Sequence, residues 1–165
     1  MDMQTAEQIH RYADARLLTF VTESNLIEGI TRPPTTEELD AHERLMRLFQ
    51  VQATALGDFQ SVVAPGNPIR ERVGMNVMVG GYAAPEGGLA IIRKLQAICR
   101  KANRVATEIE CWQLHVAFEL LHPYMDGNGR TGRALWAWTM QANGRDPFAL
   151  PFLHRFYYQT LSAAR

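Results

Sequence analysis

Hydrophobic residues recur every three or four positions along most of this chain, which is the spacing of an amphipathic helix. Between Ile9 and Phe20, for example, the apolar side chains share one helical face. The stretch 105–121 is apolar around most of its circumference, as expected of a central helix. Ser24 is a suitable N-cap for a second, short helix that ends at Gly29. Helices are therefore predicted over residues 5–22, 24–29, 35–51, 89–102, 105–121, 133–142 and 152–164.

The glycine-rich segment 57–88 contains one stretch with a different period. Apolar residues alternate with other types between Val73 and Val79, which predicts a strand or a short hairpin that ends at Gly80 and Gly81. One small β element is too little to form a sheet core. The pattern therefore predicts an all-α fold with a β-hairpin flap, at about residues 70–84, that lies on the helices.

Composition and charge narrow the class of protein. The chain has 165 residues, enough for one domain, and 47% of them are hydrophobic, as in an ordinary globular protein. Because 17 basic residues balance 17 acidic ones, we expect neither a nucleic acid nor a membrane as a partner. The polar N-terminus is unlike a signal peptide, and no apolar run approaches the ~18 residues of a membrane span. A cytoplasmic location is the default expectation.

Residues suited to phosphate chemistry are concentrated in the segment HPYMDGNGRTGR, at 122–133. Gly127 and Gly129 allow backbone conformations that turn successive N–H groups inward as an anion nest. The segment opens onto a helix N-terminus, which also favours phosphate. Arg130 and Arg133 are three residues apart, so both are expected on one side of the first turn, where they could clamp neighbouring phosphates.

Two further residues of this segment suggest a reaction. Asp126 supplies one hard oxygen ligand, which suits Mg²⁺, since this ion completes its shell with phosphates and water. The imidazole of His122 can act as a general base for a hydroxyl nucleophile. Together these groups predict the transfer of part of a nucleoside triphosphate to a hydroxyl.

The segment 122–133 resembles the signature of the Fic family, HxFx(D/E)GNGRxxR. Tyr124 stands where the family usually has phenylalanine, which exchanges one aromatic ring for another. The resemblance implies a single Fic-type helical domain and the activity of a protein adenylyltransferase. Such enzymes typically move AMP from ATP to a Ser, Thr or Tyr hydroxyl of a target protein and release pyrophosphate. The matching residues are His122, Pro123, Asp126, Gly127, Asn128, Gly129, Arg130 and Arg133.

The resemblance also implies a role for each part of the site. His122 would deprotonate the target hydroxyl, and Asp126 would bind Mg²⁺. The flap would hold the target protein by main-chain pairing. The flap residues expected to do so are Val79, Gly80 and Gly81.

The phosphates of ATP would be held by the rest of the signature. By the resemblance, Asn128 and the amides of Gly127 and Gly129 would bind the α- and β-phosphates. Arg130 and Arg133 would neutralise the β- and γ-phosphates. The resemblance alone implies that the nucleobase is adenine.

A second motif lies near the N-terminus. The residues SNLIEG, from Ser24 to Gly29, resemble the inhibitory motif (S/T)xxxE(G/N) of many Fic proteins. By that similarity Glu28 would pair with Arg133 and occupy the γ-phosphate site, since a carboxylate can mimic a phosphate for a bidentate arginine. The implied organisation is an N-terminal segment 1–34 with an inhibitory helix at about 23–30, followed by a Fic core over 35–165.

Two other functions stay open at this point. The same fold could remove AMP from a modified target or transfer another phosphate-bearing group, with Glu28 orienting an attacking water. A regulator that binds a nucleotide without turnover is the second alternative, although His122 and Asp126 would then serve no purpose. A homo-oligomer that buries or releases the N-terminal helix would be a natural form of control.

Three residues outside these motifs are assigned to structure or solvent. His115 lies in an apolar helical pattern and is expected to be a core residue. Arg70 and Arg72, just before the predicted strand, could touch a nucleotide or the target protein, but the expectation favours solvated charges.

Overall fold

The computed structural model describes residues 3–149, with side chains from Ala15 onward. This part of the chain forms six α-helices and one antiparallel hairpin, which confirms the all-α fold with a small β flap. The predicted helix over 152–164 lies outside the described residues. The elements are α1 (Met3–Ile27), α2 (Thr36–Met46), α3 (Ala53–Val63), β1 (Met78–Val79), β2 (Tyr82–Ala83), α4 (Leu89–Ala102), α5 (Glu108–Leu121) and α6 (Asn128–Ala142).

The central helix is α6, and the expectation that 105–121 would be central is wrong. Helix α6 packs against α1, α2, α3 and α5. Small residues allow this, since Ala134 and Ala137 are fully buried. A side chain at Gly132 would overlap the carboxylate of Glu119 on α5. The two helices therefore approach closely on either side of the loop that joins them.

One continuous helix, α1, replaces the two helices predicted near the N-terminus. It runs through Ser24, which is therefore an internal residue and not an N-cap. The hydroxyls of Thr19 and Thr22 donate to carbonyls one turn earlier, at 3.0 and 2.7 Å, so these polar side chains are satisfied within the helix. Gly29 then takes a left-handed conformation (φ 73°) that terminates it. Within the described residues, no helix combines the length and the apolar character that crossing a membrane requires.

The segment after α2 differs from the prediction in two respects. Helix α2 ends before residue 51, and Phe49, which was expected on its apolar stripe, is 94% exposed. A further helix, α3, begins before the glycine-rich segment 57–88 and extends into it, where no helix was predicted. Leu56 and Phe59 are buried at helical spacing there. Gly57 between them weakens the helical signal, because glycine is a poor helix former.

Two helix starts and the flap also differ in detail. Helix α5 begins at Glu108, where the Thr107 hydroxyl caps it by accepting from the N–H of Glu110 at 3.2 Å. Helix α6 begins at Asn128, so much of the glycine-rich signature is the first turn of a helix. The hairpin lies inside the predicted flap range but is shorter than the predicted strand, with Val79 paired to Tyr82.

The core packing of α3 can be tested with two substitutions. Leu56→Ala should lower the free energy of unfolding by about 2–5 kcal/mol, because this side chain is fully buried and its removal leaves a cavity. Phe49→Ala should change it by less than about 0.5 kcal/mol, because that ring is exposed. Urea unfolding followed by circular dichroism measures both values. Equal losses in the two variants would contradict the described packing.

Candidate active site

His122 stands at the end of α5 in a left-handed conformation, with φ 49° and ψ 62°. It is the one non-glycine residue with a positive φ among the described residues, and this conformation costs roughly 1–2 kcal/mol. Its N–H donates to the carbonyl of Phe118 at 2.9 Å, which closes the helix. The side chain is half-buried, and its Nδ1 lies 3.3 Å from the carbonyl oxygen of Glu119. The helix end therefore carries the predicted base at a sharp turn of the chain.

Arg70 supports this turn, and the expectation that it would be solvated is wrong. Its side chain is 0% exposed. Its Nε donates to the carbonyl of His122 at 2.7 Å, and its Nη2 donates to the carbonyl of Leu121 at 2.8 Å. Arg72, two residues later, is exposed as expected. Nothing local in the sequence distinguishes the two arginines, because two acceptors of Arg70 lie at the end of α5 and are brought to it only by folding.

Backbone pairing and one side chain hold the middle of the loop. The N–H of Arg70 donates to the carbonyl of Pro123 at 2.8 Å, and the N–H of Met125 donates to the carbonyl of Pro68 at 3.0 Å. The side-chain amide of Asn128 binds both the N–H and the carbonyl of Tyr124, each at 2.8 Å. This side chain therefore acts inside the loop, so the predicted contact of residue 128 with a nucleotide would use its backbone N–H.

The two glycines of the predicted anion nest serve different purposes. Gly127 has a positive φ of 80°, as a nest requires, and forms the N-cap of α6. Gly129 is helical, and a Cβ there would overlap the carboxylate oxygen of Glu28. The first N–H groups of a helix have no intrahelical acceptor and attract anions. The N-terminus of α6 thus already has a carboxylate against it.

That carboxylate belongs to an ion pair with a buried arginine. The Oε1 of Glu28 lies 2.7 Å from Nη2 of Arg133, whose side chain is 0% exposed. The Nε of Arg133 donates to the hydroxyl of Ser24 at 2.8 Å, and Nη2 also donates to the Ser24 carbonyl at 2.8 Å. The last turn of α1 and the residue after it therefore bind Arg133 from one side, while the Glu28 side chain stays 30% exposed.

Arg130, the other signature arginine, lies beside a second buried carboxylate. It is 6% exposed, and its Nη1 is 3.9 Å from Oε1 of Glu38. Burial lowers the pKa of Arg130, and the nearby acids oppose that effect. The two arginines therefore point toward acidic groups that lie before residue 40, instead of projecting together into solvent.

Glu38 is a residue that the sequence analysis overlooked. It is 2% exposed and accepts from Nη2 and Nη1 of Arg32 at 2.8 and 3.0 Å, from the N–H of Thr35 at 2.9 Å and from Nδ2 of Asn25 at 3.3 Å. The Arg32 guanidinium is the main reason that the pKa of Glu38 falls to about 2. Glu38 thus connects the end of α1 to α2. The capping-box pattern T-x-x-E was the signal available in the sequence.

Asp126 is exposed at the edge of this site. Its Oδ1 accepts from the N–H of Gly127 at 2.6 Å, and its carbonyl accepts from Nε2 of Gln60 at 2.9 Å. The described residues contain no cluster of three or more candidate ligands that would hold a metal by themselves. A single exposed carboxylate beside a helix N-terminus that is suited to phosphate fits Mg²⁺, because this ion shares its shell with phosphates.

The flap lies beside the carboxyl end of α5. The hydroxyl of Tyr82 on β2 donates to the carbonyl of Leu120 at 3.2 Å. Gly80 makes the turn with a φ of 58°, and Gly81 beside it is exposed. Val79 is half-buried. The three predicted flap residues therefore sit at the tip of the hairpin. Tyr82, which follows them, contacts a carbonyl two residues before His122.

The buried histidines are structural. His115 is 1% exposed, its ring lies 5.2 Å from that of Trp112, and burial lowers its pKa to about 3, so the prediction of a core residue is confirmed. His42 packs edge-on against Phe20 and Phe59, and burial lowers its pKa to about 4. Both rings are neutral at neutral pH.

A family model described as the Fic/DOC family matches residues 34–140. The match includes α2 to α5, the flap and nearly all of α6, and it begins after the segment that carries Ser24 and Glu28.

The network around Glu38 predicts a pH-dependent contribution to stability. Because the pKa of Glu38 is about 2 in the folded protein and near 4.5 when unperturbed, its ionised form favours folding above about pH 4.5. This stabilisation is lost as the pH falls toward 2. Glu38→Gln should therefore lower the free energy of unfolding by about 3 kcal/mol at pH 7, and the loss should shrink steadily below pH 4.5.

Urea unfolding at several pH values between 7 and 2.5 measures this difference. Glu43→Gln is the matched control, since Glu43 lies on the same helix and pairs with Arg47 at the surface, where such pairs contribute about 0–1 kcal/mol. A deficit in Glu38→Gln that does not change with pH would contradict the role of the ionised carboxylate.

Proposed function

The chain belongs to the Fic/DOC family, and on this premise we propose that it is an autoinhibited protein adenylyltransferase. It would transfer AMP from ATP to a Ser, Thr or Tyr hydroxyl of a target protein and release pyrophosphate. The observation that carries the proposal is the contact of Glu28 with Arg133 at the N-terminus of α6. An acidic side chain is bound at the helix end that is best suited to a nucleotide phosphate.

The phosphate site combines a helix N-terminus with two buried arginines. The N–H groups of Asn128 and Gly129 would hold the α- and β-phosphates. The N–H of Gly127, which donates to the Asp126 carboxylate at 2.6 Å in this structure, would join them once it is released. Arg130 and Arg133 are 6% and 0% exposed. In such a dry setting a guanidinium binds an anion more strongly than at the surface. A phosphate group that displaced the Glu28 carboxylate would therefore bind the same buried guanidinium groups.

His122 would act as the base. A carbonyl can only accept, so the contact of Nδ1 with the Glu119 carbonyl favours the proton on Nδ1 and leaves Nε2 basic. Nε2 would take the proton of the target hydroxyl as its oxygen attacks the α-phosphorus. The bond from the α-phosphorus to the bridging oxygen then breaks, and pyrophosphate leaves with the electron pair of that bond.

Asp126 would hold the magnesium ion. Its carboxylate is exposed at the edge of the phosphate site. Mg²⁺, when bound, would neutralise charge on the phosphates. This assignment follows from the position and chemistry of one carboxylate.

The geometry of Glu28 suits a reversible block. The residue follows the end of α1 and precedes Gly29, whose left-handed turn ends the helix. Its side chain is 30% exposed, whereas Ser24 is 1% exposed and also binds Arg133. Glu28 can therefore leave Arg133 without the unpacking of α1, and Ser24 would keep the arginine oriented for a γ-phosphate.

The partial exposure of Glu28 also supports a second candidate activity. A carboxylate that faces both the helix N-terminus and solvent could orient a water molecule toward a phosphorus atom. The protein would then remove AMP from a modified target, and Glu28 would be required for activity instead of inhibiting it. The two reactions make opposite predictions for the loss of this side chain.

The inhibitory role is tested by label transfer from α-³²P-labelled ATP with Mg²⁺. Glu28→Ala should raise transfer to the protein itself or to a lysate target by at least about tenfold, since phosphate no longer competes with a bound carboxylate. His122→Ala in the same background should abolish the gain. Glu43→Ala is the matched control, because it removes an acid that pairs with Arg47 at the surface.

The alternative outcomes separate the hypotheses. Equal label transfer by the wild type and by Glu28→Ala would refute the inhibitory role of Glu28. No label in any variant, together with release of AMP from a modified protein that requires Glu28, would establish the second activity. Binding of ATP without either reaction would indicate a nucleotide-binding regulator.

A further inference from the structure

We propose that Arg70 is a positioning residue that sets the distance between the flap and His122. The inference rests on the proposed function, in which the flap holds a target protein and His122 deprotonates its hydroxyl. It assigns a role in the reaction to a residue outside the signature and outside the inhibitory segment.

The guanidinium of Arg70 connects the flap to the turn that carries His122. Its Nε and Nη2 donate to the carbonyls of His122 and Leu121, at 2.7 and 2.8 Å. Its Nη1 donates to the carbonyl of Pro85 at 2.7 Å and to that of Met75 at 3.1 Å. Met75 precedes the hairpin and Pro85 follows it, so both sides of the flap and the base-bearing turn bind the same planar group.

The backbone of Arg70 adds two more connections. Its N–H donates to the carbonyl of Pro123, the residue after His122, at 2.8 Å. Its carbonyl accepts from the N–H of Gly88, after the flap, at 2.9 Å. A Cβ at Gly87 would lie 2.7 Å from the carbonyl oxygen of Met75, so the two sides of the flap base are in close contact around the guanidinium.

The residue type is matched to the task. Arginine presents five N–H donors in fixed directions within one rigid plane. It can therefore donate at the same time to four carbonyls that belong to three separate segments. A lysine at 70 would keep the charge but could not hold the same set. The carbonyls of Leu121 and His122 also stand at the negative end of the α5 dipole, which favours a cation there.

The consequence for the reaction is geometric. A target main chain paired with the flap presents its hydroxyl at a distance from the base that Arg70 determines. An error of about 1 Å in such a distance can slow a reaction by about 100-fold. The hydrogen bonds of Arg70 go to the flap and the turn, and Arg133 is held by Ser24 and Glu28. Loss of Arg70 should therefore affect turnover and not ATP affinity.

The test compares Arg70→Lys with Arg72→Lys in the Glu28→Ala protein. Arg70→Lys should reduce kcat for label transfer by about 10- to 100-fold, with KM for ATP changed by less than about twofold. Arg72→Lys, which alters an exposed arginine two residues away, should leave both constants unchanged. An equal loss of kcat and ATP affinity, or no loss of kcat, would overturn the proposal.

NMR separates this proposal from the activity on which it rests. Arg70→Lys should shift the imidazole signals of His122 and leave those of the buried His115 in place, whether or not label transfer occurs. Unchanged His122 signals would refute the positioning role. Absence of transfer in Glu28→Ala, with shifted His122 signals, would refute only the proposed function.

A measurement on the unaltered protein covers the case in which Arg70→Lys does not fold. The Nε–H of Arg70 should exchange with solvent far more slowly than that of Arg72, and as slowly as the backbone N–H of His122, because one opening event would expose both. Fast exchange at the Arg70 Nε–H would show that the guanidinium does not hold the turn.

Discussion

A buried guanidinium at the centre of the domain has to be compensated, and much of the site follows from that requirement. Removing a charge from water costs several kcal/mol unless partners replace the solvent. Arg133 lies on the central helix, is 0% exposed and obtains its partners from Ser24 and Glu28. This requirement brings the end of α1 against the first turn of α6. It also requires glycine at 129, where the carboxylate lies against the helix.

The other buried charges of the site are also compensated, each by different partners. Arg70 is compensated by four carbonyls, and the Glu38 carboxylate is compensated chiefly by Arg32. Such networks are strong when every member has its partner. Nucleotide binding at Arg133 would therefore have to exchange one anion for another. Glu28 is the partner suited to that exchange, because it is the more exposed of the two residues that hold this arginine.

The parts that sequence analysis anticipated are those controlled by local chemistry. Gly127 takes the left-handed conformation expected of the signature, and His122 stands at a helix end. The parts that it missed depend on other segments. Serine is favoured at the start of a helix, but Ser24 lies inside α1, where it is buried and binds Arg133 of α6. Arg70 looks like any exposed arginine until the carbonyls of α5 are brought to it.

The sequence by itself determined the helical class, the presence of the flap and the family to which the signature points, because these depend on periodicity, on backbone preferences and on residue type. The tertiary structure alone decided that α6 is central, that Gly129 makes room for a carboxylate, and that Arg130 lies beside Glu38. These outcomes depend on which surfaces pack together. A buried charge takes its partner from the element that packing brings near, and residue spacing along one helix carries no information about that element.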